Sequence, residues 1–370
     1  MELEIENGKI VSVRQSSVTA EASLDYIAPG FLDIQVNGYA GKDYSSALTP
    51  DEILHLVGHI AKSGTTQHIA TIITNSEEQI IKSIKAIVEA RKAHPMVEKS
   101  LVGIHVEGPF ISPSEGARGV HDPQFIRGCD YQEFLRWQEA AEGLIRIVTV
   151  SPEDEAALDF IRKVSETGVI VGIGHSNVEP SMIGLAVDAG ATLSTHLGNG
   201  SAPMLPRLEN FLWKQLSEDR LHASIIADGF HLPPYVLDSF TKAKGKKRIV
   251  LISDAAALAG SPPGIYQWGE MKIEVFEDGH MGLAGTSSLA GASLLLDTCV
   301  AHLSEVTGFS LADSVACATV NPHALFNETI WTGLPQIGTE ADLILFSYEK
   351  GDGKLSVKRS ILGKHTLFQE

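Results

Sequence analysis

From residue 30 onward, short runs of β-forming residues alternate with helical patterns. The chain has eight such runs: GFLDIQV (30–36), TTQHIATIIT (65–74), LVGIHV (101–106), LIRIVTV (144–150), GVIVGIG (168–174), ATLSTH (191–196), HASIIAD (222–228) and RIVLISD (248–254). Helical stretches such as SEEQIIKSIKAIVEARKA lie between them, which is typical of parallel strands joined by crossover helices. Eight such units over roughly 250 residues favour a (β/α)8 TIM barrel. The alternative is a doubly wound open sheet, but no GxGxxG follows the first run.

The two ends of the chain carry a different pattern. Residues 1–28 include LEIENGKIVSV, and residues 336–370 include ADLILFSYEKGDGKLSVKRSIL. Both alternate apolar and polar residues and contain turn signals, which is typical of antiparallel strands. The sequence therefore predicts a small β-sandwich domain formed from both termini (1–28 plus 336–370), beside a barrel at residues 29–335.

Composition narrows the possible partners and location. The 370 residues carry a formal net charge of -17, so neither nucleic acid nor an anionic membrane is expected to bind. The N-terminus lacks a signal-peptide pattern, and no apolar stretch approaches the ~18 residues of a membrane span. The three cysteines form no CxxC pair, so we expect a cytoplasmic protein without disulfides.

Polar residues cluster at the carboxyl ends of the predicted strands. Among them, Glu107, His175 and His196 end or follow three different runs. A buried carboxylate such as Glu107 needs a salt bridge, a raised pKa or a metal ion. Two histidines and a glutamate are the ligand set of a catalytic zinc site with one open position. A lone histidine after a strand is more often structural, so the hypothesis depends on the three residues occurring together.

Further carboxylates and a histidine suit the same chemistry. Asp254 ends the eighth run, where it could take a proton from water and pass it to a leaving amine, although Asp is also a frequent helix N-cap. In IIADGFH, His231 is placed to stabilise an oxyanion or contact substrate. Asp228 is interpreted as a residue that orients a neighbour.

Several of these motifs together resemble those of the amidohydrolase superfamily. The matching segments are PGFLDIQVNGYAGKDYS, HVEGPFIS, GHSN, STHL followed by Asn199, ADGFH, SDA of the eighth run and LAGTSSLAG, in the same order over residues 29–291. Within the superfamily, the chain resembles enzymes that deacetylate amino sugar 6-phosphates. The resemblance implies hydrolysis of N-acetylglucosamine 6-phosphate to glucosamine 6-phosphate and acetate.

Carried over by position, the resemblance assigns roles to individual residues. It implies that Glu107, His175 and His196 are metal ligands, that Asp254 is the catalytic acid/base, and that His231 polarises the amide carbonyl. Arg207 matches an arginine that reaches the phosphate from a neighbouring subunit, which implies a homodimer. The remaining matches are to substrate-contacting positions: His121, Asn199, Gly200, Leu283, Ala284 and Gly285.

The resemblance also bears on the number of metal ions. Many amidohydrolases hold a second metal with His-x-His on the first strand and a modified lysine on the fourth. Here the first strand has Gln35 and Asn37, remnants of that second site, and the fourth run has no lysine. Amides are poor ligands for a divalent transition metal, so we predict one metal ion per chain. Zinc is expected, with iron, cobalt or manganese as alternatives.

One segment departs from the family pattern. The family usually reads THLFNAM or THLYNAM at the sixth strand, whereas this chain reads THLGNGSAP, with Gly198 in place of the aromatic residue and Gly200 in place of alanine. This leaves open which amino sugar is bound and whether it is phosphorylated. The alternatives are an amidohydrolase acting on another N-acetyl sugar or a cyclic amide, and a non-catalytic sugar-phosphate-binding barrel.

Overall fold

The computed structural model describes residues 2–14, 25–202, 204–268, 271–286 and 289–370. The chain starts with an antiparallel pair, β1 (Glu2–Glu6) and β2 (Lys9–Arg14), followed by β3 (Asp25–Ala28). Next come β4 (Phe31–Val36), a small hairpin of β5 (Gly38–Tyr39) and β6 (Lys42–Asp43), and then β7 (Thr65–Ile73), β8 (Leu101–Glu107), β9 (Ile145–Val150), β10 (Ile170–Ile173), β11 (Leu193–Ser194), β12 (His222–Ile226) and β13 (Ile249–Ile252).

The strands β4 and β7 to β13 form one parallel sheet in which neighbours in the chain are neighbours in space. The sheet closes on itself, because Val36 bridges Ala255 in parallel and the Asp254 backbone N–H donates to Gln35 O at 3.0 Å. All eight predicted strands are present, and the (β/α)8 barrel is confirmed. The open-sheet alternative is wrong.

Helices cover the outside of the barrel: α1 (Pro50–Ile60), α2 (Glu77–Ala93), α3 (Pro95–Ser100), α4 (Tyr131–Ala140), α5 (Glu155–Ser165), α6 (Pro180–Asp188), α7 (Phe211–Ser217), α8 (Pro234–Lys244), α9 (Leu296–Val306), α10 (Leu311–Ala318) and α11 (Val320–Leu325). Local sequence explains where they begin. The first starts with a capping box between Thr49 and Glu52, with Pro50 at the first helical position. No helix in the described ranges is both long and apolar enough to cross a membrane.

Alternate residues of the barrel strands enter different cores. In β13, Val250 and Ile252 pack with Leu32 and Ile34 of β4, whereas Ile249 and Leu251 pack with residues of the outer helices. This is the two-residue period of a strand covered on both faces. The same alternation directs polar residues at the strand ends toward the mouth of the barrel.

A three-stranded antiparallel sheet between β13 and α9 was not predicted. It consists of β14 (Gly264–Trp268), β15 (Met271–Val275) and β16 (Met281–Leu283). Its strands have three to five residues and many exposed positions, so the alternation is too short to detect reliably. The sheet packs on Ala256, two residues beyond Asp254.

The ends of the chain form the expected β structure. The strands β17 (Asp342–Ser347), β18 (Ser356–Leu362) and β19 (His365–Gln369) join β3 in an antiparallel sheet ordered β19-β18-β17-β3. A separate apolar cluster, including Ile10, Leu343 and Ile361, links this sheet to the β1–β2 pair. A small β domain from both termini is therefore confirmed, while the boundaries at 28/29 and 335/336 stay a prediction.

Candidate metal centre and active site

The candidate site lies where barrel strands end. Glu107 is the last residue of β8, and His175, His196 and Asp254 each follow two residues after β10, β11 and β13. The three following residues have positive φ: 50° for His175, 31° for His196 and 51° for Asp254. A left-handed conformation costs a non-glycine residue about 1–3 kcal/mol, so the surrounding structure must hold each side chain in place.

Three side chains bring potential metal ligands together. The Nε2 atoms of His196 and His175 lie 2.8 Å and 3.2 Å from Glu107 Oε1, and 3.0 Å from each other. All three residues are buried, and their ligand atoms lie within 4.8 Å of one another. The structure therefore places the predicted ligands in one cluster, although their role as ligands stays a prediction.

The hydrogen bond at His175 Nδ1 suits metal binding through its Nε2 atom. The Nδ1–H of His175 donates to the Ala117 carbonyl at 2.8 Å, which leaves the Nε2 lone pair directed at the cluster. Metal-binding histidines are typically oriented in this way by a carbonyl acceptor. Two Nε2 atoms only 3.0 Å apart beside a carboxylate form a set of electron-pair donors that a divalent metal ion would satisfy.

Glu107 and His196 each shift the pKa of the other. Burial alone would raise the pKa of Glu107, but the adjacent His175 and His196 side chains outweigh it and hold the pKa well below the usual 4.5. Burial opposes a proton on His196, yet the bond to Glu107 and its charge raise the pKa of His196 above 6.5. The site thus favours an ionised Glu107 with positive charge beside it.

Asp254 stands next to this cluster with its own support. The Asn37 side-chain amide donates to Asp254 Oδ1 at 2.7 Å. Burial and the negative charge of Glu107 raise the pKa of Asp254 to about 6. A carboxyl group with a pKa near neutrality can both accept and deliver a proton.

His231 is oriented by Asp228, as the sequence suggested. Its Nδ1 lies 2.7 Å from Asp228 Oδ2, and Asp228 Oδ1 accepts the backbone N–H groups of Phe230 and His231 at 2.9 Å each. Burial would raise the pKa of Asp228, but the hydrogen bond from His231 and its charge lower it below 3.8. The carboxylate therefore stays ionised and fixes the orientation of the His231 ring.

His121 lies against the metal cluster from the long segment after β8. Its ring meets the His175 ring edge to face, with centroids 4.3 Å apart. Its Nδ1 is 2.7 Å from Thr74 Oγ1, at the end of β7. Burial lowers the pKa of His121 to about 3, so the ring is neutral.

The Gly198–Gly200 segment follows His196 closely. Gly200 has a φ of 56°, and a Cβ there would lie 2.7 Å from His175 Nδ1 and 3.1 Å from His196 Cε1. A side chain at this position would therefore contact both histidines, and glycine avoids that contact. Asn199 donates its backbone N–H to His196 O at 2.8 Å, and its Nδ2 is buried without a partner in the described part of the chain.

Two predicted substrate segments are not tied to the cluster by any contact in the described residues. The Arg207 side chain is exposed and makes no hydrogen bond or ion pair with them. Leu283 ends β16, and Ala284 and Gly285 form the turn after it, held by the Ala284 N–H, which donates to Lys272 O at 2.9 Å. Their roles stay predictions.

Sequence reasoning missed several supporting contacts. It named Gln35 and Asn37 only as remnants of a metal site, yet Gln35 Nε2 donates to Glu107 Oε1 at 3.1 Å and Asn37 donates to Asp254. It gave no role to Thr74, or to Asp33, a fully buried carboxylate that accepts the Ser253 N–H. The Q-x-N spacing at a strand end was the available signal for the first pair.

Comparison with known proteins places this arrangement in a class. The sequence profile of the amidohydrolase family matches residues 26–363. N-acetylglucosamine-6-phosphate deacetylase of Bacillus subtilis is 30% identical over 355 residues, 93% of this chain and 88% of its own. N-acetylgalactosamine-6-phosphate deacetylase of Escherichia coli O157:H7 is also 30% identical, over 93% of this chain and 89% of its own.

A solved structure agrees with these relatives. N-acetyl-D-glucosamine-6-phosphate deacetylase of Mycobacterium smegmatis, a mutant in complex with N-acetyl-D-glucosamine-6-phosphate, superposes with a TM-score of 0.86 at 28% identity, covering 99% of this chain and 94% of that one. The barrel and its strand-end site are those of a hydrolytic enzyme. The chain belongs to the amidohydrolase family. Members of this family are typically metal-dependent, and the Glu107, His175 and His196 cluster fits a metal ion.

Proposed function

We propose that this enzyme hydrolyses the N-acetyl group of an amino sugar 6-phosphate, with N-acetylglucosamine 6-phosphate as substrate and glucosamine 6-phosphate and acetate as products. The observation that carries the proposal is the Glu107, His175 and His196 cluster beside Asp254. This cluster occurs in a chain whose relatives are named as such deacetylases. The similarity extends over 88% and 89% of two of these relatives.

The cluster is proposed to hold one divalent metal ion. When bound, the ion would lower the pKa of a water molecule toward ~7 and polarise the acetyl carbonyl. We expect zinc, with iron, cobalt or manganese as alternatives, because this ligand set suits several metals. Gln35 and Asn37 are neutral amides that already bond to carboxylates, which supports one ion per chain.

The proton movements are assigned to Asp254. Its carboxylate accepts a proton from the attacking water as oxygen adds to the acetyl carbon. The same carboxyl group then delivers the proton to the amide nitrogen, and the C–N bond breaks to release the amine. A pKa of about 6 suits both transfers near neutral pH.

His231 is assigned to the carbonyl oxygen. Asp228, 2.7 Å from His231 Nδ1, holds the ring in one orientation, in which it would polarise the acetyl carbonyl. The neutral ring of His121, fixed by Thr74, is available for a substrate hydroxyl, together with Asn199 Nδ2. Gly200 and the turn at Leu283, Ala284 and Gly285 would shape the walls of the sugar pocket.

Arg207 is proposed to bind the phosphate of a substrate held by the partner subunit of a homodimer. Exposed apolar residues flank it: Met204 is 87% exposed, Leu208 77% and Trp213 52%. Three exposed large apolar side chains this near to Arg207 in the sequence support the proposal that another chain covers this surface. The free state of all three cysteines, which are among the described residues, supports the further proposal of a cytoplasmic enzyme.

The dimer proposal has a direct test in mixed subunits. Arg207→Ala and Asp254→Asn are each expected to be nearly inactive as homodimers. If Arg207 acts in trans, mixing them restores activity, because the subunit with intact Asp254 receives Arg207 from its partner. Absence of restoration in a verified heterodimer would place Arg207 in its own subunit or remove it from the site.

The second candidate substrate is N-acetylgalactosamine 6-phosphate. Gly198 stands where related chains carry an aromatic residue, and a Cβ there would lie 3.0 Å from Leu232 and 3.1 Å from Phe240. The segment next to His196 therefore differs from the family pattern, and a deacetylase named for this sugar is as similar as one named for N-acetylglucosamine.

Acetate release from metal-loaded protein decides among these substrates. Both N-acetyl sugar 6-phosphates and their unphosphorylated parents should be compared at equal concentration, and hydrolysis of a cyclic amide should be measured alongside them. Release only from the phosphorylated sugars supports the proposal and is consistent with phosphate binding by Arg207. Release from the unphosphorylated sugars, or from a cyclic amide only, would point to a different amidohydrolase. Binding without release would indicate a non-catalytic sugar-phosphate-binding barrel.

A further inference from the structure

The first barrel strand ends in two amides that each hold a carboxylate of the site. Gln35 and Asn37 are two residues apart and flank the end of β4. Gln35 Nε2 donates to Glu107 Oε1 at 3.1 Å, and Asn37 Nδ2 donates to Asp254 Oδ1 at 2.7 Å. Gln35 therefore contacts a proposed metal ligand, and Asn37 contacts the proposed acid/base.

Backbone contacts fix these amides relative to their partners. The Asp254 N–H donates to Gln35 O at 3.0 Å, and the Asn37 N–H donates to Ala255 O at 2.9 Å. The pairing of β4 with β7 shifts register between Asp33 and Val36. Irregular pairing next to active sites commonly redirects a side chain, and here it spans Gln35 and precedes Asn37.

The fully buried Asp33 holds this irregular segment. Its Oδ1 accepts the Gln35 N–H at 3.2 Å, and both of its oxygens lie within 3.3 Å of the Ser253 N–H. The end of β4 is thereby tied to the residue before Asp254. The positions of the two amides are set by the closure of the barrel, not by a flexible loop.

The chemistry of an amide suits this task. A side-chain amide does not titrate, so it cannot compete with Asp254 for the transferred proton, and it is a poor metal ligand. Asn37 Oδ1 is also buried without a partner among the residues that the structure describes. A buried acceptor left unpaired is costly, so this atom is suited to receive a hydrogen bond from the attacking water or the substrate.

We propose that Gln35 and Asn37 are positioning residues with separate tasks: Gln35 orients Glu107 for metal binding, and Asn37 orients Asp254 for proton transfer. The kinetic part of this inference rests on the proposed function. The metal-binding part does not, because it can be measured without turnover.

The test compares Asn37→Leu and Gln35→Leu, which retain side-chain size but remove the donor. For each variant, Zn²⁺ affinity is measured by competition with a chromophoric chelator, and kcat and KM by acetate release at saturating Zn²⁺. Asn37→Leu should lower kcat by about 100-fold, as expected for a misplaced reacting group, with KM and Zn²⁺ affinity nearly unchanged. Gln35→Leu should weaken Zn²⁺ binding by about 10- to 100-fold and recover most of kcat once saturated.

Thr71→Val is the matched control. Thr71 lies in β7 of the same barrel, and its Oγ1 is buried without a partner in the described ranges. Both readouts should stay within about twofold, as for a substitution that removes no interaction. Asn37→Asp keeps the shape but turns a donor into an acceptor, so it should lower kcat at least as much as Asn37→Leu.

The outcomes distinguish failure of this inference from failure of the proposed function. Equal losses of kcat and Zn²⁺ affinity in both Leu variants, or wild-type behaviour in either, would overturn the inference. If Asn37→Leu does not fold, wild-type kcat in Asn37→Asp would do the same. If wild-type enzyme releases no acetate from any substrate tested, the proposed function fails, while the Zn²⁺ affinity of Gln35→Leu still decides the part concerning Glu107.

Discussion

Two buried ionisable side chains, Lys244 and Glu107, differ in the kind of atoms that face their charges. Lys244, 1% exposed at the end of α8, donates to the carbonyls of Gln215 (2.5 Å), Glu218 (2.8 Å) and Leu221 (3.1 Å). An ammonium has three protons, and each has a neutral acceptor. Glu107, 3% exposed, instead faces two imidazole nitrogens across 2.8 Å and 3.2 Å.

The difference separates a structural charge from one that we propose to be functional. The Lys244 site is complete in the chain itself and ties the last turn of α7 and the segment after it to α8. The Glu107 site gathers electron-pair donors that become complementary only around a cation. Burial alone therefore does not distinguish the two; the chemistry of the atoms facing the charge does.

The largest expected effect lies beside Glu107 and leaves the fold unchanged. Asp254→Asn should lower kcat by about 10²- to 10⁴-fold, since proton transfer is lost while the hydrogen bond to Asn37 can be replaced. Metal content should stay at that of the wild type. Steady-state kinetics and metal analysis on the same preparation test this, and near-normal turnover would remove Asp254 from the mechanism.

Reciprocal substitutions test the comparison itself. Glu107→Gln should weaken metal binding by more than about 100-fold, with little change in the stability of the metal-free protein. Lys244→Met should lower the free energy of unfolding by about 2–4 kcal/mol, because three buried carbonyls lose their donor, and should leave kcat of the folded enzyme unchanged. Chelator competition, denaturant unfolding and kinetics measure the two profiles.

Lys246→Met is the control for Lys244→Met. Lys246 is exposed and pairs with Asp313 at 2.7 Å, so its loss should cost less than about 1 kcal/mol. The contrast between Glu107 and Lys244 would be broken if Lys244→Met weakened metal binding, or if it were as harmless as Lys246→Met.

A smaller effect is expected from the loop that lies against the proposed ligands His175 and His196. Gly200→Ala would bring a Cβ to 2.7 Å from His175 Nδ1, so we expect metal affinity to fall roughly 10-fold. Gly245→Ala has a similar φ of 70° but meets nothing within 4 Å, and should lower stability by about 1 kcal/mol without changing metal affinity. Equal metal affinity in the two variants would show that the contact is unimportant.

The smallest effect concerns the pH dependence of stability. Burial raises the pKa of Asp33 from 3.8 to about 7, so the folded state binds more protons than the unfolded state between these values. This contribution to stability is present at low pH and is lost as pH rises through about 7. Asp33→Asn should therefore show a weaker decline in stability from pH 4 to 7, measured by denaturant unfolding; parallel curves would contradict it.

Regular patterns made most of the fold predictable. The eight runs that alternate with helices correspond to the eight barrel strands, because strands covered on both faces are apolar over most of their length. The sheet of β14, β15 and β16 was missed because its strands are short and partly exposed. Thr74 was visible at a strand end, but nothing in the sequence indicated that it would meet His121.

The sequence by itself determined the barrel, the strand ends that carry Glu107, His175, His196 and Asp254, and the family resemblance. These features are local or periodic, so they can be detected without coordinates. Only the tertiary structure decided which atoms meet: that Gln35 holds Glu107, that Asn37 holds Asp254, and that three site residues adopt a left-handed backbone. These contacts depend on the closure of β13 against β4, which joins residues more than two hundred positions apart and leaves no local trace in the sequence.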